Sequence, residues 1–283
     1  MTLGLLVALA AAAILGLAAA AALAWRRRRR RWLGRVRSAC GRVAPRHPVA
    51  LVHGLFGFDE LAVGPARIAY FRGLTDRIQQ VGADVHRLRV ARTAAVSVRA
   101  RQLARRLDAL SAKRVNVIAH SMGGVDARFA LAKLGLSDRV ASLVTIGTPH
   151  RGTPLADLGH RWLGDPRPRL AALGLDLAAL HDLTTARMAA FNEEVRDARG
   201  VWYASVVCVA PADGLHPLLR PTHRYLERRA GPNDGVVPLA SQVWGDVVAE
   251  LEADHWAQIG WSRHFDAADL FEELLRELRG RGC

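Results

Sequence analysis

Val115-Asn116-Val117-Ile118-Ala119-His120-Ser121-Met122-Gly123-Gly124-Val125 decides how this chain is read. Val115 to Ala119 is a short, largely apolar, β-branched run of the kind that fills a buried strand. From Val125 to Leu134 the apolar spacing is helical. A serine between such a strand and such a helix sits on a sharp turn. The five residues from Ala119 to Gly123 complete the G-x-S-x-G elbow, with alanine in place of the first glycine. The elbow needs small residues beside its serine because the backbone there is crowded and strained. It leaves the hydroxyl exposed at the top of a sheet, so Ser121 is the candidate nucleophile.

Outward from the elbow, strand and helix patterns alternate. Val49 to Val52 is a continuous apolar run ending in His53-Gly54-Leu55-Phe56-Gly57. Val85–Val90, Val140–Ile146 and Val201–Val209 read as further strands. Residues 96–110 and His264–Arg279 read as helices. This order predicts an α/β fold with a mostly parallel central sheet and helices on both faces. Residues 154 to about 200 break the rhythm with Trp162, the Asp165-Pro166-Arg167-Pro168 break and a Leu/Ala run. They read as a helical cap over the carboxyl edge of the sheet, or as ordinary packing helices.

A serine hydroxyl is a weak nucleophile without a base, and the base needs an orienting acid. After a strand-to-helix elbow the chain order is serine, acid, histidine. Asp234, in Asn233-Asp234-Gly235, and His255, in Asp254-His255-Trp256, have that order. Asp254 is the rival acid and His264 the rival base. The oxyanion of a tetrahedral intermediate needs two donors. The N–H of Met122 is one candidate, and the N–H of Leu55, in the glycine-rich loop after the first strand, is the other. His53 reads as a structural histidine holding that loop.

The formal charge of +14 suggests a polyanion partner until its distribution is considered. Ten arginines and no acidic residue precede His47; the remaining 30 basic and 26 acidic residues leave about +4. Thr2 to Trp25 is an uncharged apolar run long enough to span a bilayer, and Arg26–Arg31 follow at once. The charge lies after the apolar run, whereas a secretory signal carries it before. The expected organisation is therefore a transmembrane helix at 1–25, a basic juxtamembrane linker at 26–46 and a catalytic domain at 47–283. The positive-inside rule puts that domain in the cytoplasm, single-pass on a bacterial inner membrane. The alternative is export after cleavage near Ala22-Leu23-Ala24. The Arg run has no aromatic interleaving beyond Trp32, so no nucleic-acid partner is expected. Cys40, Cys208 and Cys283 make no disulfide framework, and no His/Cys cluster has zinc spacing.

Residues 48–275 resemble the bacterial triacylglycerol lipases of the Pseudomonas and Burkholderia type, within the α/β-hydrolases. The resemblance rests on His53-Gly54-Leu55-Phe56-Gly57, the Ser121 elbow continuing into Asp126-Ala127-Arg128, and Gly147-Thr148-Pro149-His150-Arg151-Gly152. Leu183-Thr184-Thr185-Ala186, Phe191-Asn192 and Asn233-Asp234-Gly235 extend it. It implies an α/β-hydrolase fold, a Ser121–His255–Asp234 triad, oxyanion donors at Leu55 and Met122, and a lid between Pro154 and about Gly200. The family commonly binds a structural calcium through an aspartate two residues after the catalytic histidine; Ala257 stands there, and Asp213 is a lone match to the other aspartate. No cofactor is expected. The implied activity is hydrolysis of lipid or other esters. Phospholipase or acyltransferase chemistry uses the same triad, and a membrane-tethered scaffold that has lost its chemistry is the reading from another class. Oligomeric state is not legible.

Overall fold

The computed structural model describes residues 43–57, 60–63, 66–163, 178–210 and 214–283. The apolar run expected to span a membrane, Arg26–Arg31, Cys40 and Asp213 lie outside them. Among the described residues no helix is long and apolar enough to cross a membrane.

Six strands form a wholly parallel sheet: β1 (Val49–Val52), β4 (Val85–Leu88), β5 (Val115–His120), β6 (Val140–Ile146), β7 (Trp202–Val209) and β8 (Asp246–Glu252). Their spatial order is β4-β1-β5-β6-β7-β8. A separate antiparallel pair, β2 (Glu60–Val63) and β3 (Ala66–Ala69), follows β1. The helices are α1 (Leu74–Gln80), α2 (Val96–Asp108), α3 (Met122–Lys133), α4 (Pro154–Leu163), α5 (Ala178–Asp182), α6 (Thr185–Glu194), α7 (Arg220–Ala230), α8 (Leu239–Gln242) and α9 (Ala267–Gly280).

β5 lies inside the sheet, paired with β1 and β6, and all six of its residues are buried. Burial on both faces is why the strand reads as a continuous run rather than an alternating one. Ala50, Val52, Val117 and Ala119 pack with Leu103 and Leu107 of α2 and Ala127, Ala130 and Leu131 of α3. The intervening Val49, Leu51 and Ile118 are at most 1% exposed, so the opposite face is covered too. Asn116 and His120 are the polar residues of β5, and Asn116 is satisfied on both sides. The Ser142 hydroxyl donates to its Oδ1 at 2.8 Å, and its Nδ2 donates to the His47 carbonyl at 3.2 Å. A buried amide satisfied on both sides carries little of the usual desolvation cost.

Some elements differ from the sequence expectation. The β2–β3 pair, α1, α7 and β8 were not anticipated, and α7 intervenes between β7 and the Asp234 loop. Asp-Val-Val-Ala-Glu-Leu-Glu in β8 is half polar because it is an edge strand, with Asp246 and Val247 exposed. The cap region contains α4, α5 and α6. Ala156, Ala179 and Met188 from these helices, with Leu183 between α5 and α6, pack on Met122 and Val125 of α3, with Leu55 and Phe191 alongside. An apolar cap therefore rests on the helix that begins at Ser121.

Candidate active site

Gly54 and Leu55 follow β1, Ser121 follows β5, Asp234 lies beyond β7 and α7, and His255 follows β8. All are at the carboxyl ends of parallel strands, where open α/β sheets gather their ligands. Ser121 has φ 55° and ψ −134°, a left-handed conformation that L residues seldom adopt. The surrounding contacts hold it there. Its N–H donates to Ile146 O at 2.9 Å, and its carbonyl accepts from Thr148 Oγ1 at 2.7 Å. The glycines after it leave no room for a side chain. A Cβ on Gly123 would meet Val52 O at 2.8 Å, and one on Gly124 would meet the Thr148 methyl at 2.7 Å. At the first elbow position Ala119 is accommodated with no exposed surface.

His255 Nε2 lies 3.0 Å from Ser121 Oγ, and His255 Nδ1 lies 2.7 Å from Asp234 Oδ2. The histidine is 6% exposed and the aspartate fully buried. Asp234 spends every lone-pair direction: Oδ1 accepts the N–H groups of Val236 at 2.9 Å and Val237 at 2.7 Å, and Oδ2 also accepts Gln258 Nε2 at 2.9 Å. A carboxylate fixed by so many donors holds one orientation of the imidazole. Asp254, the rival acid, turns away. Its Oδ1 accepts from the N–H groups of Trp256 and Ala257, and its Oδ2 from that of His216. His264, the rival base, is exposed in the loop before α9. The structure thus brings Ser121, His255 and Asp234 together and leaves both rivals outside.

Leu55 and Met122 flank the serine from two elements, and among the described residues neither N–H has a hydrogen-bond acceptor. Gly54 comes so close that a Cβ there would lie 2.6 Å from Ser121 Cβ. His53 braces this loop: its Nδ1 faces Gly54 O at 3.0 Å and its Nε2 accepts from Val90 N–H at 3.2 Å. Burial, first, and the positive charges of Arg99 and Arg89 push its pKa down to about 4, so it is neutral at neutral pH.

Three side chains near the triad escaped sequence reasoning. Tyr70, His120 and Gln258 form a hydrogen-bonded line from Gly54 to Asp234. His120 was quoted only as part of the elbow, Tyr70 follows the unanticipated β3, and Gln258 had no motif to mark it. A fourth is Arg99 of α2, fully buried and paired with Asp126 of α3 at 2.7 Å. Arg99 also donates to the carbonyls of His53 at 2.9 Å, Gly54 at 3.3 Å and Ala91. No sequence pattern separates it from the other arginines of that helix. Among the described residues no group of three or more His, Cys, Asp or Glu side chains is arranged to hold a metal ion.

The family model for the alpha/beta hydrolase fold matches residues 48–168, which carry the Gly54 loop and the elbow. Over these residues the chain is similar to the α/β-hydrolases, and its curated relatives are triacylglycerol lipases. This hydrolase is 28% identical over 268 residues to triacylglycerol lipase 2 of Saccharomyces cerevisiae, covering 77% of this chain and 81% of the yeast protein. It is 27% identical over 298 residues to the triacylglycerol lipase of Pseudomonas fragi, covering 85% of this chain and 98% of that one. A shorter match, 38% over 134 residues, spans 45% of this chain and 41% of a Vibrio cholerae triacylglycerol lipase. Its backbone resembles that of a metagenomic carboxyl esterase with a TM-score of 0.71 at 20% identity, over 83% of this chain and 76% of that one. That likeness is one of fold. The curated relatives, named triacylglycerol lipases, support a serine ester hydrolase.

Proposed function

We propose that this hydrolase is a membrane-anchored carboxylic ester hydrolase that cleaves lipidic esters through an acyl-enzyme on Ser121. The observation that carries this reading is the unbroken contact line from Asp234 through His255 to Ser121, beside two N–H groups with no acceptor of their own. His255 takes the Ser121 proton as Oγ attacks the ester carbonyl. The N–H groups of Leu55 and Met122 hold the developing oxyanion. His255 then protonates the departing alcohol, and water attacks the acyl-enzyme by the reverse route. Asp234 keeps the imidazole in the required tautomer throughout.

The preference for lipidic esters rests on the apolar cap and on the curated relatives named triacylglycerol lipases. The anchor rests on the uncharged run Thr2–Trp25 and the Arg26–Arg31 tract beside it. On this reading the catalytic domain faces the cytoplasm, near its acyl chains. A fluorophosphonate probe labels the wild type and fails to label Ser121→Ala; an unlabelled wild type refutes the enzyme reading. A p-nitrophenyl ester series from C4 to C16 tests chain preference, and falling rates beyond C4 argue against lipidic substrates. Reporter fusions at the C-terminus read topology; activity of an export-dependent reporter there overturns the cytoplasmic placement.

A further inference from the structure

We propose that Tyr70, His120 and Gln258 form a directional hydrogen-bond relay that ties the oxyanion loop to the triad acid, with Tyr70 and Gln258 as positioning residues for catalysis. The inference rests on the triad proposed above.

The direction of every hydrogen bond follows from two ends that cannot reverse. His120 Nε2 lies 3.1 Å from the backbone carbonyl of His255, which can only accept, so Nε2 carries the hydrogen. In the neutral ring Nδ1 is then an acceptor, and the Tyr70 hydroxyl at 2.8 Å must donate to it. The Tyr70 oxygen is left to accept the Gly54 N–H at 3.2 Å. At the other end, Asp234 Oδ2 can only accept, so the Gln258 atom at 2.9 Å is its NH2 nitrogen. Gln258 Oε1 therefore faces His120 Nε2, at 3.1 Å, and accepts from it. Each donor points toward Asp234, from the Gly54 peptide onward, and such aligned bonds strengthen one another.

The line leaves no slack. His120 has no exposed surface, Tyr70 is partly buried, and His120 packs against the catalytic ring with centroids 4.6 Å apart. Burial, first, and the neighbouring His255 charge hold the His120 pKa well below its usual value, so the ring stays neutral as the relay requires. Gly147 closes the last gap: it has φ 56°, and any Cβ there would run into Gln258 Oε1 and lie 3.1 Å from Asp234 Oδ2. The loop carrying Leu55 and the acid that orients His255 are thereby held in one frame, although 180 residues separate Gly54 from Asp234 in the chain. Tyr70 acts by fixing where the Gly54–Leu55 peptide lies. Gln258 acts by fixing the carboxylate through an amide that accepts at one end and donates at the other.

The test is hydrolysis of p-nitrophenyl butyrate by the full chain, with fluorophosphonate labelling to count active sites and thermal unfolding to monitor the fold. Wild-type turnover and labelling report the triad itself; the variants report the relay. Tyr70→Phe and Gln258→Leu should each lower kcat about 10- to 100-fold with KM within about twofold, the range seen when groups that orient catalytic side chains are removed. The double variant should be about as slow as the slower single, because either change interrupts one line. Gln258→Glu keeps the size but sets a second carboxyl against Asp234. Its charge near His255 should move the acid limb of the kcat/KM profile up by about one pH unit. That shift is not expected of a residue that only supports the fold. Multiplying losses in the double variant, single variants within threefold of wild type, or an unmoved acid limb in Gln258→Glu would each overturn the proposal.

Discussion

Removing the Arg99 guanidinium should destabilise this hydrolase in a way that depends on pH. Arg99 and Asp126 are both fully buried and pair at 2.7 Å, joining α2 to α3. Asp126 Oδ1 has no hydrogen-bond partner, so the arginine is the main support of that carboxylate. Even with it, burial raises the Asp126 pKa from 3.8 to about 6. Arg99→Met fills much of the volume and leaves the carboxylate alone. Stranding one member of a buried pair costs about 3–5 kcal/mol. The carboxyl can escape by binding a proton, and that limits the penalty. Holding a proton at pH 7 on a group that titrates near 3.8 when unfolded costs about 4 kcal/mol, at 1.4 kcal/mol per pH unit. The same escape costs about 3 kcal/mol less at pH 5. Urea unfolding of the full chain at both pH values measures this through the midpoint and slope. The wild type already gives up about 3 kcal/mol of that penalty at pH 7 because its own Asp126 titrates near 6, so the variant's cost relative to wild type should be about 1.5 kcal/mol greater at pH 7 than at pH 5. Arg99→Met/Asp126→Leu, which removes both charges, should recover most of the loss and show no such pH dependence. A single-variant cost below about 1 kcal/mol, or one equal at both pH values, would refute the reasoning.

Further consequences are open to measurement. Gly54→Ala puts a methyl 2.6 Å from Ser121 Cβ and 3.0 Å from Tyr70 Oη, so the loop must move; ester turnover should fall at least about 100-fold while circular dichroism keeps its native signature. Acid should weaken the fold. The pKa of His53 is lowered to about 4, and burial holds His120 and His150 well below 6.5, so each binds its proton more tightly when unfolded. Their contribution is complete above pH 6.5 and is lost as pH falls through the folded values, roughly 3 kcal/mol for His53 alone. Asp126, raised to about 6, has the opposite sign: its contribution is present below pH 3.8 and lost as pH rises through 6, which offsets about one histidine. A urea midpoint that is unchanged or higher at pH 4.5 than at pH 7 would contradict this. Arg128 lies 3.4 Å over the Trp244 ring and donates to Asn192 Oδ1 and Val195 O. Arg128→Lys loses the planar stack and the forked bonds and should cost roughly 2 kcal/mol in the same assay; a cost below about 0.5 kcal/mol would show that stacking is immaterial.

The sequence by itself determined the nucleophile elbow, because a strained strand-to-helix turn admits few residues and those few stand together between Ala119 and Gly124. It also determined the parallel sheet, since strands buried on both faces are largely apolar, as β1, β5 and β6 are apart from Asn116, His120, Ser142 and Thr145. Chain order made Asp234 and His255 candidates, but it left Asp254 and His264 in contention. Only the tertiary structure separated them, because whether a side chain reaches a partner 134 residues away depends on where β8 and the loop after α7 come to rest. The edge strand β8 was itself hidden, because Asp246, Glu250 and Glu252 interrupt its apolar residues. Tyr70, Gln258 and Arg99 were hidden for a further reason. Each does its work through long-range hydrogen bonds, and an isolated tyrosine, glutamine or arginine carries no local signature of the carbonyl, ring or carboxylate it will meet. The same physics sets the division: short-range sterics leave their mark on neighbouring residues, whereas a buried polar network is specified only when the core brings its members together.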